Sequence, residues 1–399
     1  LVCGSTEVAA HLDVGEHPVA SFFLEDLHQT ETPYSLVLGQ CSNCGTVQLM
    51  QPVPDHALVP PYDALFAREP EEHLDDAVEH IIKTGELTPD SVIGGLTYKD
   101  DSTIERFQRQ GFETTWRLDL RVDFGLTDSA KSIETVQKLV CPELMSAIAL
   151  HHPPADLLVV RHITEHTEDL RAFMAGLSKL VKPNGLLMLE IPDCSSSLSL
   201  QDYCMIWEEH SLYFTPETFS LVPALGGFMP LWLNNYERPF ENTLVLLARR
   251  AGDPEPPVVS EAAKAQVGWL ESYGSGYSST KKQLRLDLQS FRDTHGPIAL
   301  FGAGHLAHAF SNFMDVSDLI EFVADDTPQK QGKFLPGARL PILPSSELVS
   351  RGIRLCLLAL SINSEQVVME RNSLFLESGG TFRSILRASP RSVFTSMLP

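Results

Sequence analysis

Three groups of residues in this chain could do chemistry, judged by type and spacing. In the first, Glu209 and His210 are adjacent. A carboxylate beside an imidazole raises the ring's proton affinity and can fix its tautomer, which suits general acid–base work near neutrality. Chain neighbours do not face one another on a regular helix or strand, so the pair cooperates only on a loop. The plainer alternative is a capped surface turn. In the second group, His162, Glu165 and His166 follow the apolar run Asp156 to Val160. Their His-x-x-x-His spacing invites a metal, but no third ligand is evident nearby. They read instead as residues at the carboxyl end of a strand, where ligands sit in open α/β sheets. The third group is Cys3-Gly4 with Cys41-x-x-Cys44-Gly45. Thiolates from two such knuckles can meet one zinc ion tetrahedrally. Four ligands are needed; a residue ahead of Leu1 is expected to supply the fourth, with His11 and His17 as weaker substitutes. The alternative is a degenerate knuckle with free thiols. Cys141, Cys194, Cys204 and Cys356 stand alone and read as small packed residues.

The elements that must position these groups are legible around them. Asp156 to Val160 has the length and composition of a buried strand. Leu170, Phe173, Met174, Leu177 and Leu180 mark one face of a helix from about Asp169 to Val181, stopped by Lys182-Pro183-Asn184-Gly185. Leu186 to Pro192 is a second strand, so the unit is a parallel crossover. Upstream, a helix is expected from Glu71 to about Lys83. Ser91 to Leu96 is the first strand of the same sheet, followed by the turn Thr97 to Thr103, and Thr114 to Asp119 is the second. Asp123 to Cys141 has poor periodicity. Thr215 and Pro216 open a further helix as cap and first residue, and Val245 to Ala248 closes the sheet. Prolines between Ala251 and Val259 mark a boundary. A helical region from Ser260 to about Thr294 breaks around Gly274-Ser275-Gly276. Beyond it, Pro297 to Ala307 is a strand, a Gly-x-Gly-x-x-Ala turn and a helix start, with Asp325 and Asp326 about 20 residues on.

These motifs together resemble a known family. The strand ending at a histidine, its helix and the Lys182-Pro183-x-Gly185 turn are similar to the second half of a class I S-adenosylmethionine-dependent methyltransferase. Glu209-His210-x-x-Tyr213-Phe214-Thr215-Pro216 narrows the resemblance to sugar C-methyltransferases acting on nucleotide-linked ketodeoxysugars. Val323 to Gly337, reading Val-x-Asp-Asp-x-Pro-x-Lys-Gln-Gly-Lys-x-x-Pro-Gly, nearly reproduces a run of the same family's C-terminal lobe. The resemblance implies an α/β fold: a class I methyltransferase-like doubly wound sheet, flanked by an N-terminal zinc ribbon and a C-terminal Rossmann-like domain that completes the cleft for the nucleotide sugar. Expected limits are 1–60, 61–252 and 253–399. It also implies Glu209 and His210 as the deprotonating pair, Tyr62 as an active-site tyrosine, and zinc on Cys3, Cys41 and Cys44. S-adenosylmethionine would be held by Gly94, Asp101, Asp119 and His162. The family's Tyr-His ahead of the pair is here Trp207-Glu208, and two glycine positions of its Gly-x-Asn-Asp-Gly turn hold Tyr98 and Ser102. A tyrosine there would occupy space that the methyl donor needs, and it tolerates positive φ poorly. Three functions stay open: C-methylation, another proton transfer such as isomerisation or elimination without the methyl donor, and a non-catalytic binding role.

Composition narrows the partners. The 399 residues carry a formal net charge of −22. Such a surface repels phosphate backbones and anionic lipid, so neither nucleic acid nor membrane is expected as a partner. A nucleotide sugar is compatible, because a local cation or helix N-terminus can outweigh the average. No apolar run approaches the ~20 residues of a membrane span. Seven cysteines dispersed through a long chain suit a reducing cytoplasm. A monomer or homodimer is expected.

Overall fold

The computed structural model describes residues 2–59, 71–126, 136–238 and 241–395. Tyr62 lies outside the described residues, as does part of the stretch of poor periodicity. Two compact units form from interleaved segments: residues 1–9, 39–195 and 209–268 make the first, and 10–38, 196–208 and 269–399 the second. Near the N-terminus, β1 (Val8–His17) and β2 (Tyr34–Cys41) neighbour one another in a sheet.

In the first unit, β3 (Val47–Leu49) pairs antiparallel with β8 (Leu212–Tyr213). The main sheet holds β4 (Ile93–Gly95), β5 (Thr115–Arg117), β6 (Ala155–Arg161), β7 (Val181–Pro192), β9 (Phe228–Tyr236) and β10 (Thr243–Arg250). Its order is β5-β4-β6-β7-β10-β9. β4 pairs parallel with β5 and β6, β6 pairs parallel with β7, and β10 runs antiparallel to both β7 and β9. This is the doubly wound, methyltransferase-like sheet that the sequence implied. Chain order reverses between β4 and β6, and that switch point is where such sheets bind ligands beyond their carboxyl ends.

β6 shows why the sheet has two cores. Leu157 to Val160 are all fully buried, as a central parallel strand covered on both faces must be. Leu158 and Val160 pack with Leu170, Phe173 and Leu177 of the helix Leu170–Leu180 (α3), while Leu157 and Val159 pack with Leu74, Val78 and Ile81 of the helix His73–Lys83 (α1). Between these two helices in sequence lies α2 (Asp101–Arg109), which follows the turn after β4. The Lys182 to Gly185 stop lies inside β7, with Asn184 in the left-handed region at φ 64°.

The second unit is a parallel sheet of β11 (Ile298–Phe301), β12 (Ile320–Ala324), β13 (Ile342–Leu343), β14 (Leu355–Leu358) and β15 (Thr381–Ser384), ordered β13-β12-β11-β14-β15. Gly302, at φ 98°, turns the chain from β11 towards the helix His305–Phe313 (α4). Asp325 accepts a bond from Ala303 N at 2.8 Å and Lys330 Nζ donates to the Ala303 carbonyl at 2.6 Å, so this glycine turn is braced from within. Among the described residues, no helix is long and apolar enough to cross a membrane.

Candidate functional site

Sheet order places the ends of β4, β6 and β7 side by side, and a buried ionic network occupies them. Arg161, 2% exposed, ends β6. Its guanidinium donates to Glu190 on β7 at 2.6 Å, to Glu71 at 2.8 Å, to Ser102 Oγ at 2.9 Å and to the Lys99 carbonyl. Glu190 also receives His73 Nε2 at 2.9 Å and His162 Nε2 at 3.1 Å. Burial would raise this carboxyl's pKa, but Arg161 and the two histidines hold it well below the usual carboxylate range. His162 sits in the left-handed region at φ 50°. Burial works against its charge, yet Glu165 and Glu190 push its pKa up to about 9, so it is an imidazolium at neutral pH.

The turn after β4 is closed by its own acid. Asp100 accepts Leu96 N and Thr97 N at 2.7 Å each and Arg161 N at 2.8 Å, and Thr97 caps the short 3-10 turn Tyr98–Asp100. Burial pushes the Asp100 carboxyl up to about 7, against those hydrogen bonds and Arg161. Among the described residues, the positive-φ positions include none from 96 to 103, so this turn does not demand glycine. Tyr98 itself is 38% exposed.

The four residues assigned to the methyl donor have distinct surroundings. A Cβ on Gly94 would fall 2.5 Å from the Trp116 indole, so this glycine makes room for a side chain of β5. Asp101 pairs with Arg117 at 2.7 Å. His162 belongs to the Glu190 network. Asp119 is exposed just past β5, and one of its oxygens accepts Arg121 N and Val122 N at 2.8 and 2.9 Å. A donor bound as expected would lay its ribose beside the exposed Asp119 carboxylate. At its methionine end it would meet a capped turn in place of a glycine cradle.

Glu209 and His210 lie on the non-helical segment leading into β8, as cooperation between neighbours requires. His210 is buried to 9% exposure and Glu209 is half-buried. The segment is tied to the loop after β6: His166 Nδ1 lies 2.9 Å from the Glu209 carbonyl, and Ser211 Oγ donates to the His166 carbonyl at 3.3 Å. The His166 and His210 rings meet edge to face at 4.8 Å. Glu165, His166 and His210 thus converge, each with one ligand-type atom within 4.8 Å of the others. The third partner missing from the His-x-x-x-His reading comes from far along the chain, and His162 turns to Glu190 instead.

Trp207 and Glu208 belong to the second unit. Glu208 accepts Ala20 N at 2.6 Å and lies 3.1 Å from His305 Nδ1, while Trp207 stacks on the His305 ring at 3.8 Å. Burial opposes ionisation of Glu208, but His305 and His308 bring its pKa down to about 2.

Cys3, Cys41 and Cys44 bring their sulfurs within 4.8 Å of one another, with Cys3 and Cys41 at 3.6 Å. Gly4 and Gly45 take φ 80° and 75°, the left-handed turns expected of thiolate knuckles. Hydrogen bonding from Cys44 brings the Cys41 thiol down to about 4, and the same bond with burial pushes Cys44 up. Three clustered sulfurs, one of them an easily formed thiolate, fit a zinc ion. The cluster includes neither His11 nor His17; the His17 ring bonds the Val14 carbonyl at 2.8 Å.

Comparison with known proteins agrees with this architecture. The family model "C-methyltransferase C-terminal domain" matches residues 260–386, and the model "Putative zinc binding domain" matches residues 1–58. C-methyltransferase NovU from Streptomyces niveus is 24% identical over 394 residues, covering 96% of this chain and 93% of that protein. The chain is thus similar to C-methyltransferases along almost its whole length. These matches support an S-adenosylmethionine-dependent C-methyltransferase. A shorter match, 34% identical over 103 residues, is the redox-sensing transcriptional repressor Rex from Brevibacillus brevis; it covers 24% of this chain and 46% of the repressor. Among solved structures, an S-adenosylmethionine-dependent methyltransferase from Methanosarcina mazei is similar over 43% of this chain and 97% of its own, at 13% identity and a TM-score of 0.31.

Proposed function

We propose that this chain methylates the carbon beside a ketone on a nucleotide-linked deoxysugar, with the Glu209–His210 pair taking the proton from that carbon. The observation that carries the reading is the docking of that pair, on a loop, against His166 at the carboxyl end of β6. The bond to the Glu209 carbonyl fixes the backbone on which both groups are mounted. Loss of the α-proton leaves an enolate, whose carbon becomes the nucleophile; S-adenosylmethionine, when bound, supplies the electrophilic methyl. On the chain's side the work is to bind, orient and hold the proton, and such positioned acid–base groups contribute about 10²–10⁴-fold in rate. Zinc on Cys3, Cys41 and Cys44 has a structural role in this reading. A nucleotide sugar as substrate rests on the Glu-His-x-x-Tyr-Phe-Thr-Pro resemblance.

Calorimetric titration with S-adenosylmethionine, paired with methyl transfer to nucleotide-linked ketodeoxysugars, is the test. Saturable binding and a loss of about 10²-fold or more in His210→Ala support it. No binding at millimolar donor removes it. One feature favours a second reading, proton transfer without the methyl donor: the Asp100 carboxylate takes the Leu96 and Thr97 N–H groups at the very turn a donor would approach. Solvent-deuterium exchange into the sugar with no donor binding would select that reading. Retention of pathway function by His210→Ala would select a binding role.

A further inference from the structure

We infer that Glu165, His166 and His210 form a second metal site, separate from the cysteine cluster, for a divalent first-row transition ion. The ligand-type atoms come from two segments, the loop after β6 and the approach to β8, and all three residues are buried. His166 Nδ1 lies 2.9 Å from the Glu209 carbonyl oxygen, which can only accept, so Nδ1 carries a proton. In the neutral ring Nε2 then presents a lone pair, the arrangement that a backbone carbonyl imposes on a metal-ligating histidine.

That lone pair faces the Glu165 carboxylate. His166 Nε2 and Glu165 Oε1 are 4.0 Å apart, too far for a proton to bridge as a hydrogen bond. A cation bonded to each at about 2.0–2.2 Å closes the gap with modest side-chain rotation. The second observation is independent: Glu165 Oε2 is buried with no hydrogen-bond partner among the described residues. His162 Nδ1, at 3.5 Å from Oε1, accounts for the other oxygen alone. A buried carboxylate oxygen left without a donor is what a cation would satisfy.

Two imidazoles and one carboxylate suit zinc, iron or cobalt over magnesium or calcium. Three protein ligands leave coordination positions open, the mark of a catalytic site. This inference rests on the proposed function and deepens it: the ion would polarise the ketone oxygen and stabilise the enolate. Within the proposed pair the roles would then divide: His210 would hold the ion, the Glu209 carboxylate would take the α-proton, and the electron pair left behind would be drawn to the ketone oxygen that the ion polarises.

The test counts metal in the full chain with zinc and cobalt(II) as probes. Protein saturated with zinc at the cysteines is expected to take up a further equivalent of cobalt(II), with ligand-field absorption but no sulfur-to-cobalt charge transfer. That equivalent is expected to be lost in Glu165→Gln and in His166→Asn, while the cysteine-bound zinc stays; Cys41→Ser should show the reverse. Retained zinc and an unchanged melting profile establish that the variants fold. A single equivalent held by the cysteines overturns the site, and so does a further equivalent that survives Glu165→Gln. Methyl transfer at full rate after chelation of all but the cysteine-bound zinc overturns the catalytic part and leaves His210 as the base. Absence of any proton exchange or methyl transfer in the doubly loaded protein rejects the proposed function instead, with the metal count standing.

Discussion

Gly94 shows how a glycine proposed for a cofactor can also answer to packing. A glycine near the end of β4 looks like a cofactor contact, yet its missing Cβ leaves space for the Trp116 indole, whose nearest atoms would lie 2.5–2.9 Å from a Cβ. Overpacking of that kind costs about 1–3 kcal/mol. Gly94→Ala is expected to lower stability by that amount in urea titration, and the cost should vanish in a Trp116→Leu background. S-adenosylmethionine affinity should be unchanged between Trp116→Leu and the double variant; a selective loss of affinity would return Gly94 to the cofactor. At this scale the sequence made adjacent residues legible and distant ones not. Glu209 and His210 could be paired by inspection, whereas Glu165 with His210 could not, because their meeting depends on how β6 and β8 are placed. Glu190 was invisible for another reason: inside the run Leu186 to Pro192 it reads as one polar interruption of a strand. Only the fold shows Arg161, His73 and His162 around it.

Elements were recovered where local rules decide them. The helix after Thr215 is an instance: Thr215 Oγ1 accepts Thr218 N at 3.3 Å, with Thr218 returning a bond to Thr215 N, and Pro216 fills the first helical position. The same hydroxyl donates to Gln266 Oε1 at 2.6 Å, and Gln266 in turn donates to Glu217. Thr215→Val keeps the shape but removes the cap and leaves the Gln266 carbonyl without this donor. A loss of about 1–2 kcal/mol is expected from the cap alone, with more from the orphaned amide oxygen. Denaturant titration of Thr215→Val against Gln266→Ala and the double variant separates the two: non-additivity is expected, and simple addition would mean the hydroxyl serves only its own helix. The turn after β4 was less legible because it obeys a different local rule from its apparent relatives. Where glycines were expected to let the backbone approach a ligand, Thr97 and Asp100 build a capped turn that needs no positive φ.

At the scale of the whole molecule, charge and burial oppose one another on acidification. The net charge of −22 means that lowering the pH relieves repulsion between carboxylates over most of the surface. The second unit should run against that trend. His308 of α4 is buried; its Nδ1 receives Asn312 Nδ2 at 3.2 Å, and its Nε2 has no hydrogen-bond partner among the described residues. Burial, aided by His305 and His17 and opposed by Glu208, takes its pKa down to about 4. His17, which packs on Phe313 and lies edge-on to His308, is lowered too, chiefly by burial. The unfolded chain binds the His308 proton near pH 6.5 and the folded unit does not until about pH 4, and His17 shifts in the same direction. Stability is therefore complete above about pH 6.5 and is lost as the pH falls towards 4. His308 alone accounts for about 3 kcal/mol over that window. Amide exchange of β11, in the second unit, is expected to accelerate between pH 7 and 4.5 beyond the intrinsic change in exchange chemistry. In His308→Gln, which keeps an acceptor for Asn312 but does not titrate, most of that acceleration should disappear. If wild type and variant lose protection in parallel, the loss comes from surface carboxylates and the buried histidines do not control it.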